Sequence, residues 1–235
     1  MGAKTNVKRY KKESDVSYSL GITLTFELLN KKPDMVTHIY IHSSFVDREA
    51  YDKLIMLCNN HNVAYSINDK VSDIYNLAKE LSKKYEMKIQ NEENHVVLVN
   101  PSNAGNLGTI IRSCLGFGIR NIAVIGPSVD LFEPKVIRAS MGAFFGVDIQ
   151  YYDNFDLYLE CHSSRSLHPF MLDAKAALAD SRFNQPYSLI FGNEATGLPA
   201  EFNNIGESII IRHSKEIDSL NLPIAVSIAL YEATK

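Results

Sequence analysis

Ile209-Ile-Ile-Arg-His-Ser-Lys-Glu-Ile-Asp-Ser-Leu-Asn-Leu-Pro223 runs from a short apolar strand, through a polar loop, into the amphipathic stretch Ala225-Val-Ser-Ile-Ala-Leu-Tyr231. Ser219 or Asn221 can cap that final helix by accepting from an orphan backbone N–H, and Pro223 suits its first turn, where a missing donor costs nothing. The stretch ahead has the same design. Tyr187-Ser-Leu-Ile-Phe191 reads as a buried strand, and Gly192-Asn-Glu-Ala-Thr-Gly197-Leu-Pro199 as a loop whose glycines let backbone amides approach a ligand. Two such strand-to-loop junctions, rich in backbone donors, are where an open α/β sheet binds its ligand.

Working back from them, strand and helix signals alternate from His95 onward, as a parallel sheet requires. Val96-Val-Leu-Val99 is a continuous apolar strand. It is followed by the loop Asn100-Pro-Ser-Asn-Ala-Gly-Asn106 and a helix from Leu107 to Phe117. Ile122–Ile125 is the next strand, with a helical stretch near Pro134 to Ser140. Phe145 to Tyr151 and Phe170-Met-Leu172 resume strand character, and the two C-terminal strands bring the sheet to five or six. Runs of Val, Ile and Leu without polar alternation fit a sheet buried on both faces.

The loop after the first of these strands needs a chemical reading. Asn106 and Arg112 stand six positions apart, so one can sit at the loop mouth while the other projects from the second turn of the helix. The plainer alternative makes Asn106 a helix cap and Arg112 a surface ion-pair partner. The glycines invite a dinucleotide or phosphate reading. Neither Gly-x-Gly-x-x-Gly nor Gly-x-x-x-x-Gly-Lys-Ser/Thr occurs, which disfavours a nicotinamide dehydrogenase or a P-loop enzyme.

Upstream, Tyr18 to Asp69 reads as an αβαβ unit: helix over Leu20 to Leu29, strand over His38 to His42, helix over Tyr51 to Cys58, strand over Val63 to Ile67. Val71 to Leu81 adds a further helix. The polar run Ser82 to Asn94 marks a boundary. The organisation is therefore a basic N-terminal arm at 1–17, a small α/β domain at 18–85 and a larger domain at 95–235. The 235 residues, 46% hydrophobic, suffice for those two cores.

The net charge of −3 does not itself advertise nucleic acid, but Lys4, Lys8, Arg9, Lys11 and Lys12 crowd the first dozen residues. They read either as phosphate contacts or as a solvated tail. No apolar run approaches the roughly 20 residues needed to span a bilayer, and no signal core is visible. Three scattered cysteines, Cys58, Cys114 and Cys161, point to a reduced, cytoplasmic protein with no zinc site.

Three motifs taken together are more specific than any one: Asn100-Pro-Ser-Asn-Ala-Gly-Asn106-Leu-Gly-Thr-Ile-Ile-Arg112-Ser-Cys, Leu189-Ile-Phe-Gly-Asn-Glu194-Ala-Thr-Gly197-Leu and Asp218-Ser219-Leu-Asn221-Leu-Pro-Ile-Ala-Val. In this order, with Arg138-Ala-Ser-Met-Gly142 between the first two, they resemble the SpoU/TrmH branch of the SPOUT RNA methyltransferases. These enzymes transfer a methyl from S-adenosylmethionine to a ribose 2′-hydroxyl. The resemblance covers roughly Val96 to Tyr231, and Tyr18 to Ile67 resembles the ribosomal-protein-like substrate-binding domain that many members carry.

The resemblance implies an α/β catalytic domain with a deep trefoil knot, a rare departure from unthreaded chains. It implies S-adenosylmethionine held at Gly192, Asn193, Gly197, Ile211 and Leu220 beside Glu194, and a homodimer whose sites draw on both subunits. It assigns Arg112 as general base or as a clamp on phosphate, with Asn106, Glu194, Ser219 and Asn221 positioning substrate, cofactor and that arginine. A guanidinium stays protonated, which favours the anchor over the base. For Glu194 the reading is a group that holds Arg112 or the Asn221 amide in preference to one that transfers a proton. Ribosomal RNA is the expected substrate because a large target needs a second contact surface. Transfer RNA, and a non-catalytic RNA-binding assembly factor, are the alternatives. The third loop departs from the family: Ile211-Arg212-His213 stands where Ile-Pro-Met is common, and its charged residues read as RNA contacts or as a solvated turn.

Overall fold

The computed structural model describes residues 10–71 and 77–235. Lys4, Lys8 and Arg9 of the expected basic arm, and the middle of the helix expected over Val71 to Leu81, lie outside the described residues. The chain divides into two compact units. One runs to Tyr85 and adds Asp130–Phe145, and the other comprises Glu86–Val129 and Gly146–Lys235.

The first unit contains β1 (Val16–Leu20), α1 (Ile22–Lys31), β2 (Val36–Ile41), α2 (Arg48–Asn60), β3 (Tyr65–Ile67) and β4 (Leu77–Ser82). Its sheet runs β1-β4-β2-β3, with β4 antiparallel to both neighbours and β3 parallel to β2. The helix expected through Leu81 is thus corrected to a central strand over Leu77–Ser82. Leu-Ala-Lys-Glu-Leu-Ser favours helix by intrinsic propensity, but burial between two strands overrides it. Strand β1 is additional to the expected αβαβ unit, whose first residues it overlaps: Val16, Tyr18 and Leu20 alternate with Ser17 and Ser19 over only five residues, and both serines are buried. Lys79 of β4 is fully buried, its Nζ donating to the Gly21 carbonyl at 2.9 Å, and desolvation pushes its pKa down to about 7.

In chain order there follow β5 (His95–Val99), α3 (Ala104–Gly116), β6 (Asn121–Ile125), α4 (Pro134–Ala139), β7 (Asp148–Tyr152), α5 (Phe155–Cys161), β8 (Ser166–Pro169), β9 (Ala176–Ala177), β10 (Tyr187–Phe191), β11 (Ile209–Ile210) and α6 (Leu222–Ala233). Helix α4 belongs to the first unit, where it packs on β1. There the Ser17 hydroxyl donates to the Phe132 carbonyl, and Asp130 takes hydrogen bonds from Tyr10 and Lys83.

The second unit is built on a five-stranded parallel sheet, β7-β6-β5-β10-β8. Its strand β8 lies at Ser166–Pro169, earlier than the expected Phe170–Leu172. Strand β11 pairs with β9 in a separate two-stranded ribbon instead of joining the main sheet. Alternate residues of the central strands face opposite layers. Val97, Val99, Ala123, Ile125 and Ile190 pack with Tyr152, Tyr158 and Phe202, and α3 and α6 pack together.

The strand order reverses at β5. Sequence continues from it to β6 on one side, while β10, some 90 residues later, pairs with the other. The loops after β5 and β10 therefore emerge side by side at the carboxyl ends of neighbouring strands, the switch point where open α/β sheets bind ligands.

Candidate functional site

The loop leaving β5 is shaped by its asparagines. Asn100 adopts a left-handed backbone, φ 54°. The Asn103 side chain caps α3, accepting from the amides of Gly105 at 2.9 Å and Asn106 at 3.1 Å. Asn103, not Asn106, is thus the helix cap.

The loop leaving β10 folds back on itself. Asn193 and Gly197 exchange backbone hydrogen bonds of 3.2 and 2.9 Å, and Asn193 Oδ1 accepts from the amides of Ala195 and Thr196. A Cβ on Gly192 would stand 2.1 Å from the Gly197 carbonyl carbon, so only glycine permits this closure.

Glu194 ties the two loops together. One carboxylate oxygen accepts from the Ser102 amide at 3.1 Å and the Ser102 hydroxyl at 2.9 Å. The other accepts from the Asn103 amide and the Asn106 side chain, both at 3.2 Å. Asn193 reinforces the junction by donating to the Asn100 carbonyl at 2.8 Å. Partial burial would raise the Glu194 pKa. Hydrogen bonds from its own amide, from the Ser102 amide and hydroxyl and from Asn106 outweigh burial and hold it below the usual range. A carboxylate so engaged is a fixed anion and a poor proton acceptor.

Beside this clasp lies a cavity of about 200 Å³ lined by both ends of the β10 loop and by the third loop. Its apolar wall includes Phe170 and Phe191, whose rings stack at 4.4 Å and 12°, together with Leu172, Ile211, Leu220 and Leu222. Gly192 to Gly197 also line the cavity and contribute peptide groups. A flat heteroaromatic ring with a polar tail suits such a surface. His213 also lines it, its Nδ1 lying 2.9 Å from the Ile211 carbonyl.

Of the residues singled out from sequence, Gly192, Asn193, Glu194, Gly197, Ile211, Ser219 and Leu220 all line this cavity. Asn106 reaches the site through Glu194. Asn221 opens α6 without a side-chain cap bond, so the expected cap by Ser219 or Asn221 is replaced by backbone contacts and Pro223. Arg112 does not line the cavity. It is exposed on α3 and makes no hydrogen bond or ion pair among the described residues, which removes the surface ion-pair reading. Glu194 holds neither Arg112 nor the Asn221 amide, because the β5–β10 pairing puts Ser102 and Asn106 within its reach first.

Sequence reasoning missed Ser102, Phe170 and Phe191 as site residues. Ser102 sits inside the first motif, where only knowledge of the β10 neighbour could single it out. The aromatic pair reads as core until the β8–β10 pairing is known. Among the described residues no group of three or more His, Cys, Asp or Glu could hold a metal ion, and no helix is long and apolar enough to cross a membrane.

The model of the SpoU rRNA methylase family matches residues 93–231. A tRNA/rRNA methyltransferase of Synechocystis, itself uncharacterized, is 32% identical over 143 residues. That match takes in 60% of this chain and 52% of the relative, so the chain spans about half that relative's length. The S-adenosylmethionine-bound rRNA methyltransferase of Sinorhizobium meliloti superposes with a TM-score of 0.79 at 23% identity, covering 94% of this chain and 87% of its own. A structure determined for 2′-OH methylation of C/U34 on tRNA is 31% identical, with a TM-score of 0.57, covering 61% of this chain and 95% of its own.

Proposed function

This chain belongs to the SpoU rRNA methylase family, and from that footing we propose that it methylates a ribose 2′-hydroxyl of RNA, using S-adenosylmethionine bound in the cavity beside Glu194. The observation that carries the reading is the Glu194 clasp, which joins the β5 and β10 loops at the edge of that cavity. The apolar wall suits adenine and the loop peptides suit the polar amino-acid end. The fixed anion lends negative potential to a site that must receive a cation.

The cofactor supplies an electrophilic methyl group on a sulfonium. The protein's task is then to bring one ribose oxygen into line and to lower the cost of losing its proton. Asn106, held by Glu194, and Ser219 and Asn221, at the entrance to α6, position substrate and cofactor. Arg112 acts as a fixed cation for an RNA phosphate or for the developing alkoxide.

Because Arg112 lies outside the cavity of its own chain, the reading includes a homodimer in which one subunit's Arg112 completes its partner's site. Ile224, Ile228 and Tyr231 support this as an exposed apolar stripe on α6, 39–63% accessible and spaced for one helix face. The trefoil knot belongs to the same proposal, supported by the insertion of β10 between β5 and β8 with α6 packed on α3.

The first unit is proposed as the RNA-gripping domain. Ribosomal RNA is favoured because the fold shared with the Sinorhizobium enzyme covers 94% of this chain, whereas the tRNA-related structure covers 61%. We place the protein in the cytoplasm, in keeping with three free cysteines.

Calorimetric titration with S-adenosylmethionine, followed by mapping of 2′-O-methyl sites in total RNA with and without the protein, tests the proposal. Micromolar binding and one lost methyl site are expected. RNA binding without cofactor binding by a folded, monodisperse sample would overturn the enzymatic reading in favour of an assembly factor.

A further inference from the structure

Resting on the cofactor reading of the cavity, we infer that His213 is the residue that selects adenine, its Nε2 accepting a hydrogen bond from the exocyclic amine of the base. Nδ1 lies 2.9 Å from the Ile211 carbonyl oxygen, and a carbonyl only accepts, so Nδ1 must carry the proton. In the neutral ring that leaves Nε2 as a bare acceptor, with no protein partner among the described residues.

The other polar side chains of the cavity are less selective. Asn193 has its oxygen engaged by two backbone amides and its nitrogen by the Asn100 carbonyl. Glu194 is held by Ser102, Asn103 and Asn106. Thr196 and Ser219 present hydroxyls, which donate or accept and so discriminate little. His213 is the one lining side chain that keeps a nitrogen acceptor unengaged among the described residues.

Its surroundings say which donor it meets. Ile211, two residues before it, and Leu220 line the same cavity and give the face apolar character suited to a flat base. On adenine the amine is the donor. A 6-oxo purine places an oxygen there, opposing one lone pair to another. Such a mismatch removes the hydrogen bond and leaves two acceptors face to face.

The test is titration of S-adenosylhomocysteine and its deaminated counterpart, S-inosylhomocysteine, into the wild-type protein and into His213→Ala and His213→Gln, with thermal melts to verify folding. Wild type is expected to prefer the adenosyl compound by about tenfold or more. His213→Ala should bind the two within about twofold, and His213→Gln, whose side-chain carbonyl can still accept, should keep part of the preference. Equal binding of both compounds to wild type, or a preference undiminished in His213→Ala, would overturn the role of His213 while leaving the cofactor site intact. Failure of wild type to bind either compound would overturn the cofactor reading itself, and this inference with it.

Discussion

Glu194 and Ser102 meet twice, the carboxylate accepting from the serine's amide at 3.1 Å and from its hydroxyl at 2.9 Å, across 92 residues of sequence. A single side chain thereby fixes the spacing of two loops that approach one another only because β5 and β10 are neighbours. Glu194→Gln keeps one acceptor oxygen and replaces the other with a donor facing Ser102. The expected cost is about 1–3 kcal/mol of stability in urea melts and a roughly tenfold weaker binding of S-adenosylmethionine. A variant with unchanged affinity would show that the clasp does not shape the cavity.

Arg112 is exposed and unpartnered among the described residues, so Arg112→Ala should melt with the wild type. Methylation should nevertheless fall by about 100-fold or more, with cofactor affinity unchanged, if its charge serves the transition state. Retained activity in a single-turnover assay would reassign the catalytic cation.

The two glycines of the β10 loop should differ in their tolerance. Gly192→Ala drives a methyl into the Gly197 backbone at 2.1 Å, which must open the loop, with a cost of about 1–3 kcal/mol and loss of cofactor binding. Gly197→Ala has open space, but its φ of +68° strains an L residue by only about 1–2 kcal/mol. Comparable binding by both variants in a titration would refute this ordering.

Ile228→Glu places a charge in the middle of the apolar stripe on α6 without entering the core, since Ile228 is 39% exposed. If the proposed homodimer forms through this stripe, light scattering should find wild type dimeric and the variant monomeric at the same concentration. Under the proposed arrangement, in which Arg112 of one subunit completes the other's site, activity should fall with the loss of the dimer.

Lys79 makes the first unit sensitive to alkali in an unusual direction. Its folded pKa of about 7 lies below the 10.5 of an exposed lysine, so between those values the unfolded chain holds the extra proton. Stability therefore rises as pH climbs from about 7 toward 10.5, and below about 7 the full cost of the buried charge is felt. The difference in urea midpoint between Lys79→Met and wild type should shrink between pH 7 and pH 9.5. A constant difference would mean that Lys79 stays charged.

Much of the second unit is legible in the sequence because β5, β6 and β10 are buried on both faces and read as unbroken apolar runs. The first unit hides more. Strand β1 alternates Val16, Tyr18 and Leu20 with Ser17 and Ser19 but spans only five residues, and β4, with Lys79 buried in it, looks helical. In the site, Glu194 and the glycines announce themselves, but Ser102 becomes a partner only through the pairing of strands far apart in sequence. His213 stands in a charged turn that reads as solvated until Ile211 is seen to orient its ring.

The place of β10 in the sheet has a bearing on biosynthesis. Until the ribosome has delivered residues 187–191, the nascent second unit can pair only β5, β6 and β7, and the open flank of β5 has no neighbour. Late insertion of a parallel strand between two earlier ones is slow and leaves apolar edges uncovered meanwhile. Competence to bind anything at the carboxyl end of the sheet must therefore wait at least for β10, and chaperone demand should peak during that interval.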